Sequence, residues 1–474
     1  MNILMMTNTY TPIVGGLERS VKAFKEEYQR RGHRALVVAP RFEGMPERER
    51  DVLRVPAIPR FNGSDFSVKL PVPRILTQAL VEFHPDIIHC HHPFLIGNTG
   101  LRLAHTRSIP LIFTHHTLFE QYTHYVPGDS PAMQRFVVEL ATGYANLCDQ
   151  VFAPSDSVAQ LLKERGVETP IAVVPTGIDE SWFTKAMPSR VRRQFNIPDN
   201  AFLVGHVGRL APEKNLAFLF QAIARFLQQQ PRAHCLVVGQ GPSEAEIRQL
   251  CEQAGVADRV HLAGVLQGRA LIDAYGAMDV FAFASKSETQ GLVVAEAMAT
   301  RVPVVALDAP GVREVVEDGR NGRLLSSENA EEFASALAWV ASRPAGQRRA
   351  MSQAARRTAE QFSMPRCADR ALTLYAGCLL RSAFERRPIP QSAWSLAMSR
   401  MKSEWSVLKT VAKATSAAMT FPPKELEAPG SGVLALNQDT TASTSPGCDK
   451  VPSPEPRAGE GLGTDSQSEP ISTQ

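Results

Sequence analysis

Two cationic side chains in the second half of the chain suit the binding of a diphosphate. Arg209 and Lys214 follow Gly208 at the end of a predicted strand over residues 202–207. Ligands of parallel-sheet proteins bind at the carboxyl ends of the strands, where such cations could neutralise phosphate oxygens. Taken alone, ordinary solvated surface charge explains the pair at least as well.

Two glutamates eight residues apart form the most specific segment. Glu288 lies on a loop after a predicted strand over residues 280–284, and Glu296 lies on a helix predicted to begin at about Gly291 and Leu292. The first N–H groups of a helix have no partner within it and readily bind phosphate. Glu288 could accept hydrogen bonds from sugar hydroxyls, and Glu296 from ribose hydroxyls. A surface helix with two ordinary glutamates is the alternative, which the preceding cations disfavour.

Paired glycines near the start of the chain form a third candidate. Gly15 and Gly16 lie between a predicted strand over residues 3–6 and a predicted helix over residues 17–31. Backbone N–H groups at such a helix start can approach an anion. The loop is not a Gly-x-Gly-x-x-Gly motif, and a plain tight turn explains two glycines equally well.

Together these segments resemble glycosyltransferase family 4 over about residues 1–385. The resemblance rests on Gly15-Gly16, on Gly208-Arg209-Leu210 with Glu213-Lys214-Asn215, on Gly239-Gln240-Gly241-Pro242, and on the Glu-x7-Glu spacing of Glu288 and Glu296. It implies the α/β GT-B fold, in which two Rossmann-like, doubly wound domains face each other across a cleft. It also implies a retaining transfer of a hexose from a nucleoside-diphosphate sugar, with no cofactor and no obligatory metal.

The resemblance assigns catalytic roles to Arg209, Lys214, Glu288 and His116. Arg209 and Lys214 would neutralise the departing diphosphate, Glu288 would hold the donor sugar, and His116 would lie near that sugar. The substrate-binding residues implied are Gly15, Gly16, Gly208, Gly291, Leu292 and Glu296. Among these, Glu296 would hold the nucleotide ribose, and Gly16 would let its loop close on the phosphates. The chain departs from the family at Arg301, where glycine is usual, so the resemblance does not predict the backbone conformation of that turn.

A metal site is a less favoured interpretation of the histidines. His89, His91, His92, His115 and His116 follow two predicted strands, and imidazole is a common metal ligand. No ligand spacing such as His-Glu-x-x-His supports a metal, and the chain has no Asp-x-Asp pair to hold one with a diphosphate. Histidines that line the cleft and hydrogen-bond a substrate are therefore favoured.

These candidate residues must be positioned by strands and helices. In the sequence, short apolar runs alternate with helical patterns. The alternation indicates βαβ units and parallel sheets. Predicted strands cover residues 3–6, 35–39, 86–89, 111–114, 151–154 and 171–174 in the first half, and 202–207, 235–238, 260–263, 280–284 and 302–306 in the second.

The same patterns predict the domain organisation. They divide the chain at residues 1–180, 181–362 and 363–386, and the family resemblance implies that these are an acceptor domain, a nucleotide-sugar domain and a helix that crosses back to the first domain. An amphipathic helix over 392–420 and a disordered tail over 421–474 follow. Closure of the domains is expected about a hinge near Gly177 and the helix after Met364.

The composition disfavours several other classes of protein. The 474 residues carry a formal net charge of +3, too little for a global electrostatic hold on nucleic acid. Seven scattered cysteines favour a reduced, cytoplasmic protein over a disulfide or zinc framework. The first residues indicate a strand and not a signal peptide, and no apolar run approaches the ~20 residues of a spanning helix. Any membrane contact is then expected to be peripheral.

The helix predicted after residue 392 is basic and amphipathic. Its apolar residues recur every three or four positions at Trp394, Met398, Met401, Trp405, Leu408 and Ala412, with Met419 on the same face. Arg400, Lys402, Lys409 and Lys413 lie among them. This pattern is typical of a membrane interface. Packing on its own domain or on a partner is an equally good alternative.

The acceptor is indicated by residues 114–127, which are similar to the corresponding stretch of diacylglycerol α-glucosyltransferases. That resemblance implies a membrane lipid as acceptor, at the inner face of the membrane. Basic residues on or near the first predicted helix could attract anionic headgroups, although interleaved glutamates also fit a solvated face: Lys22, Lys25, Arg30, Arg31 and Arg34. Three alternatives stay open, namely a soluble acceptor, another GT-B enzyme such as an epimerase, and a non-catalytic protein that binds nucleotide sugar or membrane. The sequence does not indicate an oligomeric state.

Overall fold

The computed structural model describes residues 1–13, 15–58, 68–69, 73–125, 130–183, 186–384 and 393–419. The predicted amphipathic helix falls largely within these ranges, whereas the tail over 421–474 lies outside them. Among the described residues, no helix is both long and apolar enough to cross a membrane.

The first half of the chain folds around a parallel sheet. Its strands are β1 (Asn2–Met6), β2 (Arg34–Pro40), β3 (Val52–Val55), β4 (Ala57–Ile58), β5 (Val68–Lys69), β6 (Ile87–Cys90), β7 (Leu111–Thr114), β8 (Gln150–Ala153) and β9 (Ile171–Val173). Seven of them form one sheet in the order β3-β2-β1-β6-β7-β8-β9, and β4 pairs with β5 in a separate antiparallel ribbon. All pairs within the seven-stranded sheet are parallel.

The second half repeats this arrangement. Its strands are β10 (Phe202–Val207), β11 (Ala233–Val238), β12 (Val260–Leu262), β13 (Val280–Phe283), β14 (Val304–Leu307) and β15 (Gly322–Leu325). They form a second parallel sheet in the order β12-β11-β10-β13-β14-β15. In each sheet the strand order reverses beside the first strand, at β1–β6 and at β10–β13, which is where ligands bind in doubly wound folds. The predicted fold class is thus confirmed.

Helices cover the sheets and connect the strands. The helices of the first half are α1 (Gly16–Arg30), α2 (Pro73–Phe83), α3 (Ile96–Arg107), α4 (Pro131–Ala145) and α5 (Asp156–Glu164). Those of the second half are α6 (Pro188–Gln194), α7 (Leu216–Gln229), α8 (Glu244–Gln253), α9 (Gly268–Ala277), α10 (Leu292–Ala299), α11 (Ala330–Ala341) and α12 (Ala345–Glu360). Two long helices follow, α13 (Met364–Phe384) and α14 (Ala393–Met419).

Alternate residues of each central strand belong to different cores. In β1, Leu4 and Met6 pack in the cluster that includes residues of α3, while Ile3 and Met5 pack in the cluster with residues of α1 and α13. In β13, Val280 and Ala282 belong to one cluster and Phe281 and Phe283 to the other. Because both faces are buried, these strands are continuous apolar runs, which is why the sequence showed them clearly. Of the strands not predicted, β3 lies at a sheet edge and three of its four residues are only partly buried.

The chain crosses between the halves twice, at adjacent positions. The backbone N–H of Ile178 donates to the carbonyl of Phe362 at 2.7 Å, and that of Met364 donates to the carbonyl of Ile178 at 2.8 Å. A Cβ at Gly177 would overlap the backbone of Met364, so only glycine lets the segments approach this closely. After the second crossing, Tyr375 of α13 is buried in the core of the first half. The predicted hinge residues therefore lie side by side, while the hinge motion and the exact domain boundaries remain predictions.

Arg301, the departure from the family pattern, adopts a left-handed backbone at the end of α10. Its φ is +71°. The N–H of Arg301 donates to the carbonyl of Met298 and that of Val302 to the carbonyl of Ala297, the two bonds of a Schellman motif. Glycine is usual in this position because it has no Cβ to clash. The side chain of Arg301 is exposed.

Replacing Arg301 by glycine is therefore expected to stabilise the protein. The left-handed backbone costs an ordinary residue about 1–2 kcal/mol. The greater freedom of glycine in the unfolded chain offsets about 0.4–1 kcal/mol of this gain. Urea unfolding of Arg301→Gly should show a net stabilisation of about 0.5–1 kcal/mol. Arg349→Gly, within α12, is the control and should lose about 1 kcal/mol; equal losses in both variants would show that the left-handed backbone of Arg301 is not strained.

Candidate active site

Lys214 and Glu288 form an ion pair between two loops at the carboxyl edge of the second sheet. Lys214 Nζ donates to Glu288 Oε1 at 2.6 Å, and both side chains are largely buried. Burial alone would lower the pKa of Lys214, but the charge of Glu288, with Tyr122 and Glu213, raises it above its ordinary value. Lys214 is therefore a fixed cation at neutral pH.

Close glycine packing positions the loop that carries Gly208 and Arg209. A Cβ at Gly239 would overlap the carbonyl oxygen of Gly208, and one at Gly241 would overlap that of Leu210. The N–H of Leu210 donates to the carbonyl of Gln240 at 3.0 Å. The Gly239–Gly241 stretch is thus needed to hold the neighbouring loop, on which the Arg209 side chain is exposed at the cleft edge of the sheet.

Glu296 is a deeply buried carboxylate whose partners come from both halves of the chain. It is 1% exposed, on α10. Tyr275 donates its hydroxyl hydrogen to Glu296 Oε2 at 3.0 Å, and the guanidinium of Arg19, on α1, forms an ion pair with Oε1. Burial raises the pKa of Glu296, although Arg19 and Tyr275 oppose the shift. Arg19 is thus paired with the carboxylate of Glu296, the group that the sequence analysis predicts to bind the ribose.

Both glycine-flanked helix starts lie in the predicted places. Gly291 precedes α10 with a φ of +66°, and Gly15 precedes α1; neither helix has a side-chain cap. A Cβ at Gly16 would meet no atom within 4 Å, so the backbone there is open to a ligand. Beneath the loop, burial raises the pKa of Glu18. The start of α10 can accept an anion, whereas at the start of α1 the carboxylate of Glu18 already lies against Gly15.

His116 is partly buried and lies against a group of fully buried histidines. Its Nε2 is 2.9 Å from Nδ1 of His91. His89 is bonded on both nitrogens, to the Tyr375 hydroxyl at 2.6 Å and to Thr114 Oγ1 at 2.6 Å, and so supports the core. Burial lowers the pKa of His91 and His116 far below the usual range, so both rings are neutral. Among the described residues, no group of three or more His, Cys, Asp or Glu is arranged to hold a metal ion.

The loop after β7 touches the Glu288 loop across the cleft. Thr289 Oγ1 donates to the carbonyl of His116 at 2.9 Å, and Ser155 Oγ donates to the carbonyl of Thr289 at 2.7 Å. Tyr122 hydrogen-bonds Ser287, and burial together with the charge of Glu288 raises its pKa. The stretch that the sequence assigns to the acceptor is therefore adjacent to Lys214 and Glu288.

The two halves are further joined beside the hinge. The N–H of Thr176 donates to Gln290 Oε1 at 2.6 Å, and Gln290 Nε2 donates to the carbonyl of Thr176 at 2.8 Å. With the contacts of Arg19 and Thr289, these bonds close the cleft around the predicted site.

The ten predicted site residues lie on the loops after β1, β7, β10 and β13 or on the helices α1 and α10 that follow these loops, although their roles remain predictions. Lys214 and Glu288 touch directly, and His116 reaches their loop through its backbone. Sequence reasoning missed Arg19 and Tyr275, and it placed Tyr122 in the acceptor stretch without connecting it with Lys214. A charged residue in the first turn after Gly15-Gly16 was a usable signal for Arg19. No sequence signal connects Tyr275 or Tyr122 with residues more than 20 positions away.

The buried histidines make folding stability sensitive to mild acid. Burial lowers the pKa of His89 and His92 to about 3. Below pH 6.5 the unfolded chain therefore binds protons that the folded chain does not, and stability falls as the pH falls. Between pH 7.5 and 5.5 each of these histidines should remove about 1.4 kcal/mol of unfolding free energy, about 3 kcal/mol for the two.

Equilibrium urea unfolding at the two pH values checks this. His89→Phe should lower the pH dependence by about 1.4 kcal/mol whatever its absolute stability. An unchanged pH dependence in that variant would mean that His89 is not a neutral buried group.

Comparison with known proteins agrees with this architecture. Residues 14–182 match the family model described as Glycosyltransferase Family 4, and residues 189–358 match the model described as Glycosyl transferases group 1. The chain is 28% identical to the alpha-monoglucosyldiacylglycerol synthase of Streptococcus pneumoniae over 69% of this chain and 76% of that protein. It is 30% identical to a GDP-mannose-dependent alpha-mannosyltransferase of Mycobacterium tuberculosis over 79% of this chain and 96% of that protein.

A solved structure shows the same fold. The crystal structure of Anabaena HepE in complex with UDP superposes with a TM-score of 0.63 at 23% identity, covering 80% of this chain and all of that chain. With both halves matched and the carboxyl edges of two Rossmann-like sheets facing one cleft, the chain belongs to glycosyltransferase family 4 and has the GT-B fold.

Proposed function

We propose that this glycosyltransferase moves a hexose, with retention of configuration, from a nucleoside-diphosphate sugar to a membrane lipid such as 1,2-diacylglycerol. The observation that carries the proposal is the Lys214–Glu288 pair, which lies at the sheet edge between the start of α10 and the loop after β7. That arrangement supplies a cation for a phosphate and a carboxylate for a sugar within one hydrogen-bonded unit.

The donor diphosphate binds at Arg209, Lys214 and the uncapped start of α10 behind Gly291 and Leu292. Charge develops on the diphosphate oxygen as its bond to the sugar breaks, and fixed cations stabilise that charge without reorganisation. The raised pKa keeps Lys214 protonated throughout. These groups take the part that a metal ion plays elsewhere, so transfer is expected to be independent of added metal.

The sugar and the ribose bind to the two glutamates. Glu288 accepts hydrogen bonds from the sugar hydroxyls, and Glu296 accepts them from the ribose once Arg19 has moved aside. His116 is neutral and beside the Glu288 loop, so it acts as a hydrogen-bonding group toward the sugar and not as a charged acid. Closure of the loop of Gly15 and Gly16 on the phosphates excludes water, which limits hydrolysis of the donor.

A lipid acceptor is supported by the loop after β7 and by the relatives. The similar protein of Streptococcus pneumoniae is named a synthase of glucosyldiacylglycerol. In this chain the corresponding loop carries Phe119 and Tyr122, and Phe119 packs edge-on against Phe94 with ring centroids 4.9 Å apart. An aromatic wall beside polar groups suits an amphiphilic acceptor. The protein would then act as a peripheral protein at the cytoplasmic face of the membrane.

A soluble acceptor is the second candidate. A D-inositol 3-phosphate glycosyltransferase of Geodermatophilus obscurus is 32% identical over 66% of this chain and 72% of that protein, and its named acceptor is not a lipid. The chemistry at Lys214 and Glu288 would be the same in both cases. Only the acceptor distinguishes them.

Donor turnover tests the proposal. The purified full chain is incubated with UDP-glucose, UDP-galactose and GDP-mannose in turn, with and without diacylglycerol vesicles, and both nucleotide release and glycolipid are measured. Release with one donor should require the vesicles, and EDTA should not abolish it. Because Glu288 holds the reacting sugar, Glu288→Gln should lower kcat by about 100-fold or more.

The matched control is Glu317→Gln, an exposed glutamate of the same half, which should keep full activity. Release that ignores the vesicles would reject the lipid acceptor. Nucleotide binding with no turnover of any donor would favour the non-catalytic alternative.

Arg19 competes with the ribose for Glu296 if the donor binds in this way. Arg19→Gln should therefore tighten binding of the donor's nucleoside diphosphate about three- to fivefold, the effect of an ion pair worth ~1 kcal/mol. Glu296→Gln should weaken it by about tenfold or more, because hydrogen bonds to a charged acceptor are lost. Isothermal titration calorimetry measures both.

Arg192→Gln is the control for the Arg19 variant. It removes the ion pair with Asp279, formed at 3.0 Å within the second half, and should leave nucleotide affinity unchanged. A weaker affinity in Arg19→Gln would show that Arg19 contacts the nucleotide directly.

A further inference from the structure

Helix α14 lies along the first half of the molecule, against α3 and α4. Thr410 meets α4 at Gly143, where an added Cβ would overlap its side chain. Lys413 Nζ is 3.0 Å from Glu139 Oε2, and the Arg135 guanidinium donates to the carbonyls of Ala417 and Ala418 at 3.2 Å. As residue numbers rise in α14 they fall in α4, so the two helices are antiparallel.

One face of α14 makes this contact. Ala414 is fully buried, and Val407 packs against the core cluster of the first half. Thr410 is partly buried between them. Arg102 of α3 forms an ion pair with Glu404 near the start of this contact. The helix therefore packs on its own domain. This was one of the two alternatives that the sequence left open.

The apolar face predicted from the sequence is a different one, and it is exposed. Met401, Trp405, Leu408 and Met419, which we call the outer stripe, are each 59–74% exposed. Their spacing of four, three and eleven residues keeps them within about 60° of one another on a helix of 3.6 residues per turn. The packed residues Thr410 and Ala414 lie on the opposite side. The side chains of Trp394 and Met398 lie outside the described residues.

Positive charge accompanies the outer stripe. Lys409 Nζ lies 5.6 Å from the centre of the Trp405 ring, a cation–π contact at the surface. The whole of α14 contains four basic residues and one acidic residue; Glu404 is paired with Arg102, and Lys413 is paired with Glu139. Tryptophan beside lysine, above an exposed apolar strip, is suited to the boundary between lipid headgroups and acyl chains.

The position of the outer stripe relates it to the cleft. The last turn of α14 lies beside the start of α4, which follows the loop of Tyr122 and therefore lies at the carboxyl edge of the first sheet. A surface that contacted the outer stripe would continue toward the mouth of the predicted acceptor site.

We propose that the outer stripe of α14 docks the protein on an anionic lipid surface, with the acceptor loop after β7 facing that surface. The purpose of this docking rests on the proposed function, but the docking itself does not depend on turnover of a donor. The outer stripe exposes large apolar side chains beside the positive charge of Lys409. Lipid satisfies both its apolar residues and its positive charge.

Vesicle sedimentation tests the docking without any donor or acceptor. The full chain is mixed with phosphatidylcholine vesicles that contain or lack phosphatidylglycerol, and no diacylglycerol is present. Trp405→Glu combined with Leu408→Glu should lower the partition coefficient on anionic vesicles at least tenfold. Lys409→Gln should lower it about fivefold on anionic vesicles and hardly at all on neutral ones.

Leu380→Glu is the matched control. Leu380 is 61% exposed on α13, as exposed as Trp405, but belongs to another face of the molecule, so its variant should bind vesicles as the parent does. Thermal unfolding of each variant checks that it is folded. Unchanged vesicle binding by the folded Trp405→Glu, Leu408→Glu variant would overturn the proposal.

Two further outcomes are distinguishable. Sedimentation equilibrium that shows a dimer lost in the stripe variant, with vesicle binding unchanged, would assign the stripe to a second copy of the chain and overturn the proposal. Vesicle binding that depends on the stripe, in a protein that turns over no lipid acceptor, would retain the docking surface and reject the proposed acceptor.

Discussion

The contact between the two halves of the molecule depends on one buried carboxylate, that of Glu296. Glu296 is 1% exposed, and a buried charge needs partners to be stable. Its own half supplies one neutral donor, Tyr275, and the positive charge comes from Arg19 in the other half. The closed arrangement is thus coupled to the state of this carboxylate. In the proposed mechanism a ribose replaces Arg19, which makes donor binding and the relative position of the two halves parts of one equilibrium.

The remaining site follows from the geometry of parallel sheets. The carboxyl ends of β10 and β13 bring the Lys214 and Glu288 loops together, and those of β6 and β7 bring His91 and His116 together. Glycines at 239 and 241 permit the close loop packing that fixes Arg209 and Lys214 on their side of the cleft. The rigid strands therefore set the position of each charged group, and the residue types in the loops determine its chemistry.

The sequence predicted what depends on local pattern. Buried strands showed as apolar runs, and the Glu-x7-Glu spacing identified Glu288 and Glu296. What escaped prediction depends on contacts between distant segments: Arg19 on Glu296, and Tyr122 beside Lys214. For α14, the periodicity correctly predicted an apolar face, but it did not predict whether that face packs on the protein or lies in solvent. The helix packs through Thr410 and Ala414, small residues that contribute little to a hydrophobic pattern, and leaves the predicted face in solvent.

A crystal structure of the protein with UDP or GDP tests the proposed donor site most directly. We expect ribose hydroxyls hydrogen-bonded to Glu296, Arg19 turned away from that carboxylate, and the diphosphate beside Arg209, Lys214 and the first turn of α10. A bound nucleotide that leaves the Arg19–Glu296 pair intact, with its phosphates away from Lys214, would contradict both the assignment of the donor site and the coupling of donor binding to the cleft.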